Sequence, residues 1–318
     1  MTGNSNLRGA GIALLAFATY AGSDAVVKWL GGHYSPFQLI FFSQLMAFPL
    51  VTLLMIRDRT DGNLRPRHPW WVSLRTGGMV FGGIASFYAF AVLPLAQTYA
   101  ILFSMPIMIT LLSIPVLGER IGLHRGGAIV AGLIGVLIVL RPGAGGFGIG
   151  HVAALLGAFG SALSSVVMRR IGQDERSSVM LVYPMLGNVI VMGVALPFVY
   201  RPMPLLHMGG LGAIAVLTFL AMLFLVIAYR AGEAAVVAPM QYSQILWAVI
   251  FGHLFFHEGV DAATAIGSAV VIASGLYIVL RESRGTTSEN RPVLNARARF
   301  ATGIMPRVGA LWPRKKPD

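Results

Sequence analysis

The sequence predicts an all-α membrane protein of ten transmembrane helices, arranged as two inverted five-helix repeats. Three observations carry this prediction: the apolar composition, the distribution of Lys and Arg, and a similarity between the two halves of the chain. Of the 318 residues, 56% are hydrophobic and only 11% are charged, and the mean hydropathy is +0.74. Soluble domains carry about 25% charged residues, so this composition excludes an ordinary soluble protein.

Ten apolar segments follow one another along the chain, each close to the length of about 20 residues that crosses a bilayer. Charged residues and turn-forming Gly and Pro separate the segments. Trp70 and Trp71 open the third segment, as indole rings do at a membrane surface. The predicted segments are residues 8–30, 36–56, 71–93, 95–117, 122–140, 148–170, 178–200, 208–229, 234–256 and 261–280.

Basic residues determine the predicted orientation. With the N-terminus in the cytoplasm, 21 of the 24 Lys and Arg residues fall on the cytoplasmic side. The three on the opposite side are Lys28, Arg141 and Arg201. Membrane proteins keep their basic loops inside, so we expect both termini in the cytoplasm. The same placement accounts for the net charge of +12 without a nucleic-acid partner.

The second half of the chain repeats the first. Residues 96–141 and 235–281 each begin with Ala, carry Glu119 or Glu258 23 residues later, and end in Val-Leu-Arg. Five segments separate the copies, an odd number, so the copies cross the membrane in opposite directions. Inverted repeats are typical of secondary transporters, whose site lies between the halves. The predicted division is 1–142 and 143–283 for the repeats, with a basic cytoplasmic tail at 284–318.

Asp24 is the only acidic residue well inside a predicted segment. Ionisable groups at membrane depth face a bundle interior or an aqueous cavity, so the predicted role is proton exchange or binding of an amine. A structural ion pair with Lys28, one turn along the same helix face, is the alternative, and Lys28 can also extend to the outer surface. Glu119 and Glu258 are interpreted as turn residues at the membrane surfaces, and Arg75 as a side chain that extends to the inner surface.

Polar and aromatic residues concentrate in the fourth and ninth segments, both of which contain proline. Proline removes a backbone hydrogen bond and bends a helix, and interrupted helices in corresponding segments indicate a substrate site. Close helix packing by Ser and Thr is the alternative. Few charges and several rings suit a zwitterionic or heteroaromatic ligand. With Asp24 and Lys28, the candidates for substrate binding or coupling are Tyr88, Tyr99, Ser104, Pro106, Gln241, Tyr242, Gln244 and Trp247.

Neither a cofactor nor a metal is expected. The chain has no Cys, which excludes thiolate metal sites and disulfides. Residues 143–148 match the spacing of a dinucleotide-binding loop but lack an acid about 20 residues later, so a joint between the halves is the preferred interpretation. His253 and His257 precede Glu258, whereas a metalloprotease helix places its Glu between two His. The basic tail is interpreted as lipid-binding or disordered.

A family resemblance supports this interpretation. Residues 94–120 read PLAQTYAILFSMPIMITLLSIPVLGER, and a Gly-rich segment that ends in LIVLRP follows. This pattern resembles the EamA-type branch of the drug/metabolite transporter superfamily over about residues 8–282. DAVVK at 24–28 is similar to members that import riboflavin or S-adenosylmethionine. The resemblance implies ten helices, termini inside, and alternating-access transport of small metabolites across the bacterial inner membrane.

We therefore predict a secondary transporter of a small metabolite, such as an amino-acid derivative, S-adenosylmethionine or a riboflavin-like compound, and not an enzyme. An intramembrane enzyme is one alternative, and it would need a nucleophile with a base, or metal ligands, at membrane depth. A receptor or scaffold is the other, and it would not need an inverted repeat. The expected partners are the substrate and the lipid bilayer. A coupling proton and a second copy of the chain are further candidates.

Overall fold

The structure, a computed structural model, describes residues 2–56, 65–118, 123–141, 147–172, 174–175 and 177–283. Every regular element within these ranges is a helix. Five stretches are long and apolar enough to cross a membrane, so the prediction of an all-helical membrane protein is confirmed. The helices are α1 (Thr2–Gly31), α2 (Pro36–Ile56), α3 (Pro69–Val92), α4 (Leu95–Leu102), α5 (Met105–Leu117), α6 (Leu123–Leu140), α7 (Ile149–Ile171), α8 (Ser177–Val199), α9 (Leu205–Ala231), α10 (Ala234–Val237), a 3-10 helix (Ala238–Tyr242), α11 (Ser243–Phe256) and α12 (Ala262–Ser283).

The main interfaces each pair a helix of the first 141 residues with a helix of the remainder. α1 packs against α9, α3 against α7, α2 against α8, and α6 against α12. The largest cluster of buried apolar side chains draws on both parts of the chain, including α4 and α11. The fourth and ninth predicted segments therefore both contribute side chains to a shared core.

The fourth predicted segment is interrupted near its middle. α4 ends at Leu102, and α5 begins at Met105. Pro106 has no N–H to donate to the carbonyl of Leu102, which weakens the helix at this point. The chain instead makes a tighter turn, in which the N–H of Ser104 donates to the carbonyl of Ile101 at 3.0 Å.

The ninth predicted segment is interrupted as well. It consists of α10, the 3-10 helix, in which Pro239 lies near the start, and α11. Interrupted helices in both segments, predicted from the prolines, are thus confirmed. Ser104 and Ser243 occupy the same register position in the two copies and mark the point where the helix resumes. Ile245 stands where the first copy has Pro106, so the two interruptions have different local causes.

Glycines allow α3 and α7 to approach closely. A Cβ built on Gly160 of α7 would lie 2.5 Å from the carbonyl oxygen of Gly78 and 2.8 Å from the Cα of Gly82, both on α3. These are backbone atoms, so a side chain at 160 would force the helices apart. Small residues commonly permit such contacts between membrane helices.

Gly160→Ala is therefore expected to destabilise the protein by about 1–3 kcal/mol, the usual cost of overpacking, although Ala favours a helix. Gly83→Ala is the matched control, because a Cβ at Gly83 on α3 meets nothing within 4 Å. The midpoint of thermal unfolding in detergent should fall for Gly160→Ala and stay at or above the wild-type value for Gly83→Ala. Equal midpoints would contradict this packing of α3 on α7.

Arg75 corrects a prediction made from the sequence. Its side chain is only 2% exposed, and Nη1 donates to the carbonyl oxygen of Met180 on α8 at 2.7 Å. Nη2 lies 3.9 Å from the sulfur of Met168 on α7. The side chain turns inward because α7 and α8 provide these partners, so the predicted extension to the membrane surface is wrong.

Candidate functional site

Three polar side chains from both parts of the chain meet inside the bundle. Asp24 lies on α1, Tyr99 on α4 and Gln244 on α11. The hydroxyl of Tyr99 donates a hydrogen bond to Oδ2 of Asp24, and Nε2 of Gln244 donates to the same hydroxyl at 3.4 Å. The three residues are 7%, 1% and 1% exposed. We call them the central cluster; it holds a carboxylate at depth within a network of polar partners.

Aromatic rings extend from the central cluster across both interrupted segments. The ring centroid of Tyr99 lies 5.3 Å from that of Phe90 on α3 and 5.8 Å from that of Phe103. Phe103 in turn lies 5.1 Å from Tyr242, in an edge-to-face arrangement. Ring faces attract cations and stack on flat rings. A carboxylate beside such a row suits a ligand that combines a cationic group with a planar ring.

Two serine hydroxyls lie at the interruptions. Ser104 is fully buried and Ser243 partly buried, and neither Oγ has a hydrogen-bond partner within the described part of the chain. Buried hydroxyls are normally hydrogen-bonded. These two groups are therefore available to a polar atom of a ligand or to water.

Several candidate residues predicted from the sequence lie apart from the central cluster. Tyr88 is partly buried and packs against the main core. Trp247 stacks on Phe251, one turn along its own helix, with ring centroids 6.1 Å apart. Pro106 is buried at the start of α5, and Gln241 is half-buried in the 3-10 helix. A shallow groove of about 480 Å³ between α3 and α8 contains none of the candidate residues.

Lys28 pairs with a residue that the sequence interpretation had placed outside the site. Its Nζ lies 2.7 Å from Oε1 of Glu258 and donates to the carbonyl oxygen of Leu93 at 2.5 Å. Oε2 of Glu258 accepts a hydrogen bond from the N–H of Leu95 at 2.9 Å. The two charged side chains are 11% and 18% exposed. Lys28 thus binds Glu258 and the Leu93 carbonyl instead of extending outward as predicted, because the end of α11 lies beside the α3–α4 turn. Glu258 lies in the turn after α11, and the sequence did not predict its charged partner.

The sequence contains a signal for Glu258, namely its register with Glu119 in the two copies. No comparable signal marks Phe90 or Phe103 among the many aromatic residues of the chain. Glu119, the tail at 284–318 and residues 142–146 of the glycine-rich segment lie outside the described residues.

Curated proteins similar to this chain are named as transporters or exporters. The S-adenosylmethionine uptake transporter of Rickettsia conorii is 26% identical, over 87% of this chain and 94% of its own length. The riboflavin transporter of Rhizobium johnstonii is 27% identical, over 85% and 90%. The pseudopaline exporter CntI of Pseudomonas aeruginosa is 27% identical, over 83% and 93%.

A solved crystal structure shows the same fold, with a TM-score of 0.59 at 20% identity, over 90% of this chain and 100% of the other. The model of the EamA-like transporter family matches the chain twice, at residues 7–141 and 148–281. These two matches contain all the residues of the central cluster, Asp24 and Tyr99 in the first and Gln244 in the second. The chain therefore belongs to the EamA-like transporter family of multi-pass membrane proteins.

Proposed function

We propose that this protein is a secondary transporter that moves a small metabolite across the bacterial inner membrane by alternating access. The central cluster carries this proposal, because it places a buried carboxylate where both family-model matches contribute side chains. The cluster also adjoins the two interrupted segments. Transporters place their sites at such discontinuous helices, between repeats.

The proposed architecture is ten spans in two inverted repeats, 1–142 and 143–283, followed by the tail at 284–318. α4 with α5 forms one span, and α10, the 3-10 helix and α11 form another. The packing supports this division, because it is symmetric between the two repeats. In the proposed correspondence α1 matches α7 and α3 matches α9, so the α1–α9 contact is equivalent to the α7–α3 contact. The α2–α8 and α6–α12 contacts each join two corresponding helices. An even number of spans puts both termini on one side, and the basic loops put that side in the cytoplasm.

The proposed substrate carries a cationic or zwitterionic group and a planar ring. Asp24 would bind the cationic group, and Tyr99, Phe103 and Tyr242 would contact the ring. S-adenosylmethionine has both features, a sulfonium and an adenine ring, and relatives of this chain are named for its uptake. Because the relatives include an uptake transporter and an exporter, we assign no direction.

Asp24 is also the proposed coupling group. A carboxylate at membrane depth is costly to keep charged and takes part in proton relays. When the pathway opens, Asp24 would exchange its hydrogen bond from Tyr99 for a proton or for the substrate cation. Competition between proton and cation for one carboxylate links transport to a proton gradient.

Alternating access predicts that a residue at the interruption is reached from each side of the membrane in turn. The chain has no native cysteine, so Ser104→Cys can be labelled selectively. Ser104 is 0% exposed in this structure, so its labelling reports opening. We expect a membrane-impermeant maleimide to label it when added to either side of oriented vesicles.

Ser113→Cys is the matched control for this labelling. Ser113 on α5 is equally buried, and its hydroxyl donates to the carbonyl of Thr110 at 2.8 Å. We expect it to stay unlabelled from both sides. Labelling of Ser104→Cys from one side only, or from neither, would contradict alternating access at this site.

A further inference from the structure

We propose that the Lys28–Glu258 ion pair is a gate that closes one end of the transport pathway. With the backbone groups of Leu93 and Leu95, the pair forms what we call the clasp. The proposal rests on the proposed transport function. The test of the gate needs no substrate, so a failure of the gate proposal can be distinguished from a failure of the proposed transport function.

The clasp joins three separate elements at one end of the bundle. Lys28 belongs to α1, Leu93 and Leu95 flank the α3–α4 turn, and Glu258 follows α11. The ammonium also lies 5.4 Å from the ring centroid of Phe256. Ionised groups that make several directed hydrogen bonds hold a defined geometry. Separation of any two of these elements breaks at least one of the contacts.

The clasp lies one helical turn beyond the central cluster. Lys28 follows Asp24 by four residues on α1, and Leu95 precedes Tyr99 by four residues on α4. Four residues rise about 6 Å along a helix. α1 and α4 are therefore joined twice, by Asp24–Tyr99 and, closer to the end of the bundle, by the clasp. A ligand that reaches Asp24 from this end must first separate the clasp.

The local backbone is shaped to bring Glu258 into this position. His257 adopts a left-handed conformation, with φ of 54°, and the N–H of Glu258 bonds to the carbonyl of Gly252 at 2.9 Å. This pattern reverses the chain at the end of a helix. A Cβ on Gly252 would lie 2.9 Å from Oε2 of Glu258, so the glycine leaves room for the carboxylate.

A second ion pair links the two parts of the chain but differs in its exposure. Arg141 pairs with Asp261, and their side chains are 42% and 51% exposed. Exposed ion pairs contribute little to the stability of a structure, because water screens the attraction between the charges. Asp261 lies three residues after Glu258, so Asp261→Asn removes an equal charge close by and serves as the matched control.

Distance measurements between spin labels test the gate. Cysteines replace Gly32 and Gly259, both exposed, in the turns after α1 and α11; a Cβ at Gly259 meets nothing within 4 Å, and one at Gly32 meets only an atom at 3.7 Å. Double electron–electron resonance on the full chain in lipid nanodiscs then reports the separation of the two turns. We expect one short distance in the labelled parent protein.

Two variants perturb the clasp in different ways. Glu258→Gln removes its negative charge, whereas Gly252→Ala keeps both charges and displaces the carboxylate. Each variant is expected to raise the population ratio of long to short distances by about fivefold or more. Fivefold is the lower end of the effect that two coupled sites typically have on each other. Asp261→Asn should leave the distribution unchanged.

Each outcome of the measurement decides the proposal. A new long-distance population in Glu258→Gln and Gly252→Ala, absent from Asp261→Asn, supports the gate. An unchanged distribution in both clasp variants overturns it, and so does an equal shift in Asp261→Asn, which would indicate general loosening. If Glu258→Gln fails to fold, Gly252→Ala alone decides, because Ala in place of Gly favours the helix.

Discussion

Asp24→Asn is expected to abolish accumulation driven by a pH gradient, while exchange of substrate between the two sides of the membrane persists with weaker substrate binding, because Tyr99, Phe103 and Tyr242 still contact the ring. The amide oxygen of Asn still accepts the hydrogen bond from Tyr99, so the central cluster keeps its shape. The amide cannot bind and release a proton in the physiological range, so the link to the gradient is lost. Accumulation and counterflow in liposomes with an imposed pH gradient measure the two activities separately.

Asp261→Asn is the control for this experiment, because it removes a carboxylate that is half exposed and pairs with Arg141 instead of with a residue of the central cluster. We expect it to accumulate substrate as the wild type does. Full accumulation by Asp24→Asn would remove this carboxylate from the coupling mechanism. Loss of both accumulation and exchange would indicate that Asp24 is needed for substrate binding and would leave its role in coupling unsupported.

Tyr99→Phe is expected to weaken transport about 5- to 150-fold. The hydroxyl of Tyr99 joins Asp24 to Gln244, and its removal leaves two buried polar groups without that partner. A buried group left unsatisfied costs about 1–3 kcal/mol, and about 1.4 kcal/mol corresponds to a factor of ten. Initial uptake rates measured over a range of substrate concentrations report the loss.

Tyr88→Phe is the matched control for the loss of a phenol hydroxyl. Tyr88 is only partly buried and packs against the main core, so its transport should stay within about twofold of the wild type, as for most surface or peripheral substitutions. Equal activity of the two variants would show that the hydroxyl of Tyr99 has no part in the site.

Features set by local sequence could be predicted. Long apolar segments predicted the apolar helices. The prolines at 106 and 239 lie at the two predicted interruptions, whereas Pro49, Pro115, Pro184 and Pro197 lie inside continuous helices. Asp24 could be predicted as a candidate site residue because a carboxylate in an apolar segment needs a polar environment. The structure provides a polar partner in the hydroxyl of Tyr99. Tyr99, Tyr242 and Gln244 were candidates for a different reason, namely that polar and aromatic residues concentrate in the two proline-containing segments.

Features set by contacts between distant helices could not be predicted. Helical periodicity placed Lys28 beside Asp24 on one face of α1, but it contains no information about which helix that face meets. The carboxylate that binds Lys28 comes from the end of α11. Arg75 similarly finds its acceptor on α8. Trp247, predicted as a ring for the substrate, stacks within its own helix because Phe251 lies one turn away.

The most direct test of transport is uptake by the purified full chain in liposomes. Radiolabelled S-adenosylmethionine, riboflavin and zwitterionic amino-acid derivatives would each be offered with and without a pH gradient, alongside Tyr99→Phe and protein-free liposomes. We predict saturable uptake of at least one compound by the wild type, with a reduced rate for Tyr99→Phe. Uptake no higher than in protein-free liposomes for every compound, from protein that is folded and inserted, would contradict the proposed transport function.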